Sequence, residues 1–287
     1  MSSWILLAAA SAIFAGLVSI LGKLGVSKTP SNLATAIRTL VVLVLAWAIA
    51  GFTGATTGLS NIDQSALIFL VVSGLTTGAS WLMFFKALQI GDATKVVAID
   101  RLSLVFTVLI GFTLLGESSN LIQALGLLVV SVGTVLVVYR RVDSTTKGYS
   151  WLPFALGAAF FATATTVLAS IGLENIDSNL ATAIRTSVVL LLAIVIVLFT
   201  GQQKFLNTLN LRELLFLTLS GLATGASWLF FFAALALGPV SGVVPIDKLS
   251  IVVTAIASYF IFGERQSRWA ILGLVALVAG AGLLVFG

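Results

Sequence analysis

The chain contains no cysteine and no histidine. The first absence excludes disulfides and thiolate chemistry, and the second removes the commonest general base and metal ligand. Charge is scarce as well: 9% of the 287 residues are charged, against about one quarter in a soluble domain. No Walker sequence and no acid pair at metal-ligand spacing occurs, so no enzyme chemistry, cofactor or metal is expected. What is abundant is apolar surface, with 59% hydrophobic residues and a mean hydropathy of +1.17. A chain this apolar cannot hide its surface from water, so its solvent is the lipid bilayer. The sequence pI of about 9.8 would suit nucleic acid. However, lysine and arginine stand scattered at the ends of apolar runs and not on one face, so no nucleic-acid partner is expected. The first apolar run starts at Trp4 without a basic leader or a small-residue cleavage site, which reads as a retained span.

Within this composition lies a duplication. SNLATAIRT occurs at Ser31–Thr39 and again at Ser178–Thr186, and the offset of 147 holds along the chain without a gap. Trp4 meets Trp151, Arg38 meets Arg185, Trp81 meets Trp228, Asp100 meets Asp247 and Glu117 meets Glu264. A repeat sets the architecture before any other signal. The expected organisation is a first repeat over 1–140, a cytoplasmic linker over 141–147 and a second repeat over 148–287.

A helix needs about 20 apolar residues to cross a hydrocarbon core about 30 Å thick. Five runs of that kind fit each repeat: Trp4–Leu24, Leu33–Phe52, Ala66–Ile90, Thr94–Leu115 and Leu121–Tyr139, then Trp151–Gly172, Leu180–Phe199, Glu213–Leu237, Gly242–Phe262 and Trp269–Phe286. The runs are too long for strands and lack period-two alternation, so the fold class is all-α integral membrane, ten transmembrane helices. Five is odd. If the first copy enters from one face, the second enters from the other, and the two are inverted repeats. Loop charge agrees. Lys23, Lys28, Lys95, Arg140, Arg141, Lys147, Lys204, Arg212, Arg265 and Arg268 all fall on one side, and the opposite loops and termini hold no lysine or arginine. The positive-inside rule puts these cations in the cytoplasm of a bacterial-type inner (plasma) membrane and both termini outside.

Five cations and two acids remain inside spans: Arg38, Lys86, Arg101, Arg185, Lys248, Asp100 and Asp247. Charge within lipid is costly, roughly 2.5–3.5 kcal/mol each on insertion scales, and faces a cavity or a partner charge. Arg38 and Asp100 lie at similar depth from one face, Arg185 and Asp247 from the other. The expectation is two charged layers, with Arg38–Asp100 and Arg185–Asp247 pairs acting as gates beside a central site. Arg101 and Lys248 would leave that site net positive, which suits a carboxylate or phosphate. The alternative is snorkelling of Arg38 and Arg185 to the headgroups, the favoured reading for Lys86. GLTTGASWLMFF and GLATGASWLFFF carry the GxxxG pairs Gly74/Gly78 and Gly221/Gly225, which let helix backbones approach closely. One turn on, Trp81 and Phe85, with Trp228 and Phe232, either wall the cavity or pack against neighbouring helices. Phe14 and Phe161 are further cavity candidates. Gly126/Gly133 and Gly273/Gly280 mark a seam between the copies. Pro245, whose twin is Ala98, allows a kink in the ninth span.

Taken together, SNLATAIRT, TGASW followed by aromatics, PIDKLS at Pro245–Ser250 with AIDRLS at Ala98–Ser103, and the Gly-Glu after each fourth helix resemble the EamA family of the drug/metabolite transporter superfamily, once per half. The resemblance implies two inverted five-helix bundles, with the first four helices of each half around a cavity and the fifth and tenth at the edge. It also implies export of small metabolites or drugs, amino acids among them, driven by ion gradients or exchange. Two departures stand out. Related small multidrug exporters carry an acid in the first helix, and here neither the first nor the sixth helix has one. Ten-helix relatives are also commonly drawn with cytoplasmic termini, against the charge count.

The resulting expectation is a secondary transporter, one monomer sufficing for one pathway, that exports or exchanges a small anion-bearing metabolite. A coupling proton or counter-substrate is left open. A lipid-phosphate flippase and a small-drug exporter are the alternatives. An intramembrane enzyme would need the two aspartates, which the layer reading holds too far apart to share a proton. A scaffold for other membrane proteins would not need repeated charges within its spans.

Overall fold

The computed structural model describes residues 3–26, 29–103, 105–106, 110, 120–138, 149–172, 176–237, 243 and 246–286; the side chains at 60, 61, 138, 166, 169–172, 178, 232, 235, 236, 285 and 286 stand outside that description. Among the described residues the first repeat holds α1 (Ser3–Gly25), α2 (Ser31–Phe52), α3 (Gln64–Ile90), α4 (Ala93–Asp100) and α5 (Leu121–Val138). The second holds α6 (Leu152–Gly172), α7 (Ser178–Phe199), α8 (Leu211–Leu237), α9 (Ser250–Phe262) and α10 (Arg268–Phe286). Helices α1, α2, α3, α7 and α8 are long and apolar enough to cross a membrane, and α5, α6 and α10 contain shorter apolar stretches. The far end of the fourth span, the interrepeat linker and Pro245 lie outside the described residues.

Where the helices start and stop follows from local chemistry. Asp63, Asp92 and Asp177 cap α3, α4 and α7, each carboxylate accepting from backbone N–H groups of the first turn. Helices α2 and α7 end at Thr53 and Thr200, followed by Gly54 and Gly201 at φ 73° and 66°, the left-handed conformation that a residue without Cβ adopts freely. Short 3-10 turns then follow, Ala55–Asn61 and Gln202–Thr208. Hydropathy alone shows these two stretches only as breaks.

The principal packing joins one repeat to the other: α1 on α8, α5 on α10, α3 on α6 and α2 on α7, with a slighter contact of α4 on α9. The hydrogen bonds across these contacts give the direction of each pair. Ser11 meets Ser227 and Ser220 meets Val18, so α1 and α8 run antiparallel. Their twins repeat it: the Ser80 hydroxyl donates to Ala158 O at 2.8 Å and Ser73 to Thr165 O at 3.1 Å. Thr94 meets Ser258 and Arg101 meets Ser250, which makes the fourth spans of the two repeats antiparallel, and Gly126 meets Gly280 as Gly133 meets Gly273, which does the same for the equivalent helices α5 and α10. Equivalent helices that run oppositely are what an inverted repeat requires.

Glycine sets how closely the halves approach. On α5 and α10 a Cβ added at Gly133 would fall 2.8 Å from Gly273 O, and one at Gly280 would fall 2.9 Å from Gly126 O. These helices form the expected seam. The two GxxxG faces do different work. Gly74 and Gly78 seat α3 on Val188 and Leu192 of α7, and Gly221 and Gly225 seat α8 on Val41 and Leu45 of α2. Each third helix is thereby held against the second helix of the other repeat, the helix that carries the arginine.

Candidate functional site

A cavity of about 370 Å³ lies between the repeats, lined by α1, α2, α3, α4, α8 and α9. Arg38, Trp81, Phe85, Asp100, Arg101, Trp228, Asp247 and Lys248, all singled out from sequence, reach it. Arg185, Phe14 and Phe161 stand outside its lining. Phe14 instead stacks on Phe230 at 5.6 Å, and Phe161 meets Phe160 edge to face at 5.5 Å. The side chain of Phe232 lies outside the described residues.

Arg38 is the most unusual member. It is 2% exposed, in the first half of α2. Its guanidinium lies 4.4 Å from the Phe85 ring centroid and 4.8 Å from that of Trp81. It donates to the Thr224 hydroxyl at 2.7 Å, and its buried Nε has no partner. The expected ion pair with Asp100 is absent. Among the described residues no carboxylate stands within ion-pair distance of Arg38, and Asp100 lies 3.9 Å from its own neighbour Arg101. The Arg185–Asp247 pair is absent too, since Arg185 donates to Thr77 at 3.1 Å and Asp247 accepts from Ser11 at 2.7 Å. The cause is the GxxxG contact. It brings Thr224 and Thr77 of the third helices onto the arginines, one turn before the tryptophans, and fills the position assigned to the acids.

The two-layer arrangement is corrected as well. The antiparallel register of α4 on α9 leaves Asp100 and Asp247 only roughly 7 Å apart along the helix axis, at 1.5 Å per residue. Both acids line the one cavity, and Lys248 is close enough to Arg101, Asp247 and Asp100 to interact with each. Both fourth helices also lose regularity here: Arg101 and Leu249 are turn residues, with Leu249 N–H bonded to Ile246 O in a 3-10 step. Irregular backbone at membrane depth is tolerated where it lines a cavity.

Opposite Arg38, Trp81 and Trp228 face each other across the pseudo-twofold with centroids 6.3 Å apart. Trp228 also borders a second, smaller cavity of about 160 Å³, with Ala46, Ile49, Thr53, Asn179, Thr182 and Leu229. Phe84, Phe231, Ser227, Ser250 and Thr224 line the main cavity but were not singled out from sequence. The hydroxyls carried one available signal, their place on the same repeated segments as the tryptophans and acids. Lys86, expected to snorkel, donates to Gln89 at 3.2 Å.

At the end of α1 stands a separate cluster. Lys23 forms an ion pair with Glu264 and donates to Gly91 O at 2.8 Å, while Glu264 also accepts from Ala93 N–H at 3.2 Å. Burial first, and then the nearby Asp92, raise the Glu264 carboxyl above the usual carboxylate range, and Lys23 opposes this in part.

Residues 2–139 and 149–286 each match the EamA-like transporter family. The chain belongs to that family. It is a membrane transporter of the drug/metabolite type. A relative from Sinorhizobium sp., an uncharacterized transporter in the cobO 3' region, is 47% identical over 135 residues, which are 47% of this chain and 96% of that protein. That relative is therefore about the length of one repeat. A crystal structure 18% identical in sequence covers 99% of this chain and 96% of its own, with a TM-score of 0.71, and so shares the fold.

Proposed function

We propose that the protein is a secondary transporter that exports or exchanges a small amphipathic metabolite bearing an anionic group, by alternating access of the central cavity. The observation that carries this reading is Arg38: a fully buried guanidinium that lines the cavity, has no carboxylate partner among the described residues and keeps a buried donor unused. An isolated buried cation is expensive, and an incoming carboxylate or phosphate satisfies it. The cavity holds Arg38, Arg101 and Lys248 against Asp100 and Asp247, so its formal charge is positive. Trp81, Phe84, Phe85 and Phe231 supply apolar wall for the rest of the solute. The repeats rock around this site, in the manner of other inverted-repeat carriers.

In this reading the transporter sits in a bacterial-type inner (plasma) membrane with the basic loops inside and both termini outside, a single chain forms the pathway, and a proton or counter-substrate drives it. Lipid-phosphate flipping is the second reading. It is supported by the smaller cavity, which runs from Trp228 to Leu229, a residue 52% exposed.

Uptake into proteoliposomes, measured against a panel of carboxylates, phosphates and lipophilic cations with and without a pH gradient, tests the assignment. Arg38→Gln is expected to lower transport of the preferred anion by roughly a hundredfold, and Arg38→Lys by roughly tenfold, since an ammonium lacks the planar fork. Full transport by Arg38→Gln, or preference for a lipophilic cation, contradicts it.

A further inference from the structure

The cavity is lined unevenly by a nearly even molecule. Four twin pairs contribute both members: Trp81/Trp228, Phe84/Phe231, Asp100/Asp247 and Arg101/Lys248. Other lining residues contribute without their twins. Arg38, Thr224, Ser227 and Ser250 face the cavity, whereas Arg185, Thr77, Ser80 and Ser103 stand outside its lining.

Those four outside residues repeat much of the chemistry of the first four. Arg185 donates to Thr77 as Arg38 donates to Thr224. Thr77 caps back onto Ser73 O as Thr224 does onto Ser220 O. The Nε of Arg185 is also buried without a partner. The segments around them are the most alike in the chain, SNLATAIRT twice and TGASW twice. Two copies with the same local sequence and packing can exchange conformations at little cost in free energy. Such an exchange would close the cavity at Arg38 and open its image at Arg185 on the facing helix.

We propose that Arg185 and Thr77, with Ser80 and Ser103 beside them, form a second station for the same anionic group, exposed when the chamber opens toward the opposite face. The solute's carboxylate or phosphate passes from Arg38 to Arg185 while the shared tryptophans and the charged pairs at the centre stay in contact with the path. This rests on the anion reading of Arg38.

The absence of cysteine makes the test direct. Thr224→Cys and Thr77→Cys are introduced singly into the full chain, in right-side-out and inside-out vesicles. Each is treated with membrane-impermeant methanethiosulfonates carrying either a sulfonate or a trimethylammonium group. The expected result is labelling from opposite faces, each about tenfold faster with the sulfonate, because a local cation concentrates an anionic reagent. Arg185→Gln should abolish that preference at Thr77→Cys alone, and Arg38→Gln at Thr224→Cys alone. If Thr224→Cys behaves so while Thr77→Cys labels from the same face, from neither, or without charge preference, the second station is overturned and the Arg38 reading stands. If Thr224→Cys shows no preference, both fall. Ser80→Cys, one turn further along α3, gives the same readout should Thr77→Cys fail to fold.

Discussion

Arg38 and Arg185 occupy the same place in two copies of one sequence, yet they meet different surroundings. Each guanidinium bonds a threonine on the third helix of the other repeat. Arg38 is sealed under Trp81 and Phe85 and faces the cavity, whereas Arg185 is more exposed and stands outside its lining. The contrast teaches that identity of local sequence fixes the chemistry of a station and not its exposure. Exposure depends on how the two repeats pack around each arginine, and that packing differs at the two positions.

The strongest way to break this comparison is to separate the helices that hold each arginine. A Cβ at Gly221 would fall 2.7 Å from Val41 Cβ, and one at Gly74 would fall 2.8 Å from Val188 Cβ. Gly221→Val and Gly74→Val should each destabilise the protein by about 1–3 kcal/mol, the usual cost of overpacking. Thermal unfolding in detergent should show matching losses. A large loss in one and none in the other would mean that the two repeats are not packed equivalently.

A smaller effect sharpens the comparison at the tryptophans. Trp81→Ala removes one of the rings under Arg38, a contact worth about 0.5–2 kcal/mol. The half-saturating anion concentration should then rise by roughly twofold to thirtyfold on that basis. Trp228, across the pseudo-twofold, makes no such contact with Arg38, so Trp228→Ala should raise it less. Equal effects in transport assays would place the anion elsewhere.

The smallest effect concerns the ion pair at the end of α1. The position equivalent to Lys23 is Ser170, so the sequence provides this lysine at one face only. A carboxyl whose titration is raised by folding holds its proton more tightly in the folded state than in the unfolded one. The contribution of Glu264 to stability should therefore grow as pH falls from above its raised folded value to the ordinary glutamate range, and fade as pH rises. Glu264→Gln should flatten that dependence in melting curves taken at several pH values. A Glu264 contribution that weakens on acidification would reverse the assignment.

Much of this architecture was legible in the residues. The described parts of helices α1, α2, α3, α5 to α8 and α10 lie within about two residues of their apolar runs, because lipid enforces long runs and Asp63, Asp177, Gly54 and Gly201 punctuate them. The Gly133–Gly273 seam was legible for the same reason, since small residues at fixed spacing have few uses in a bilayer. The partners of the charges were not. Depth along each helix placed Arg38 beside Asp100, but depth says nothing about rotation around the axis or about which helix of the other repeat comes nearest. Thr224 and Thr77 take the arginines because a GxxxG face packs on α2 and α7, a contact between repeats that no single helix encodes.

The central claim is that two inverted repeats share one chamber, and twin loops on opposite faces test it most directly. Thr57 and Lys204 are equivalent positions in the turns after α2 and α7. In right-side-out vesicles an impermeant thiol reagent should label Thr57→Cys and leave Lys204→Cys untouched until the membrane is permeabilised. Labelling of both from the same face would set the repeats in one sense and contradict the shared chamber.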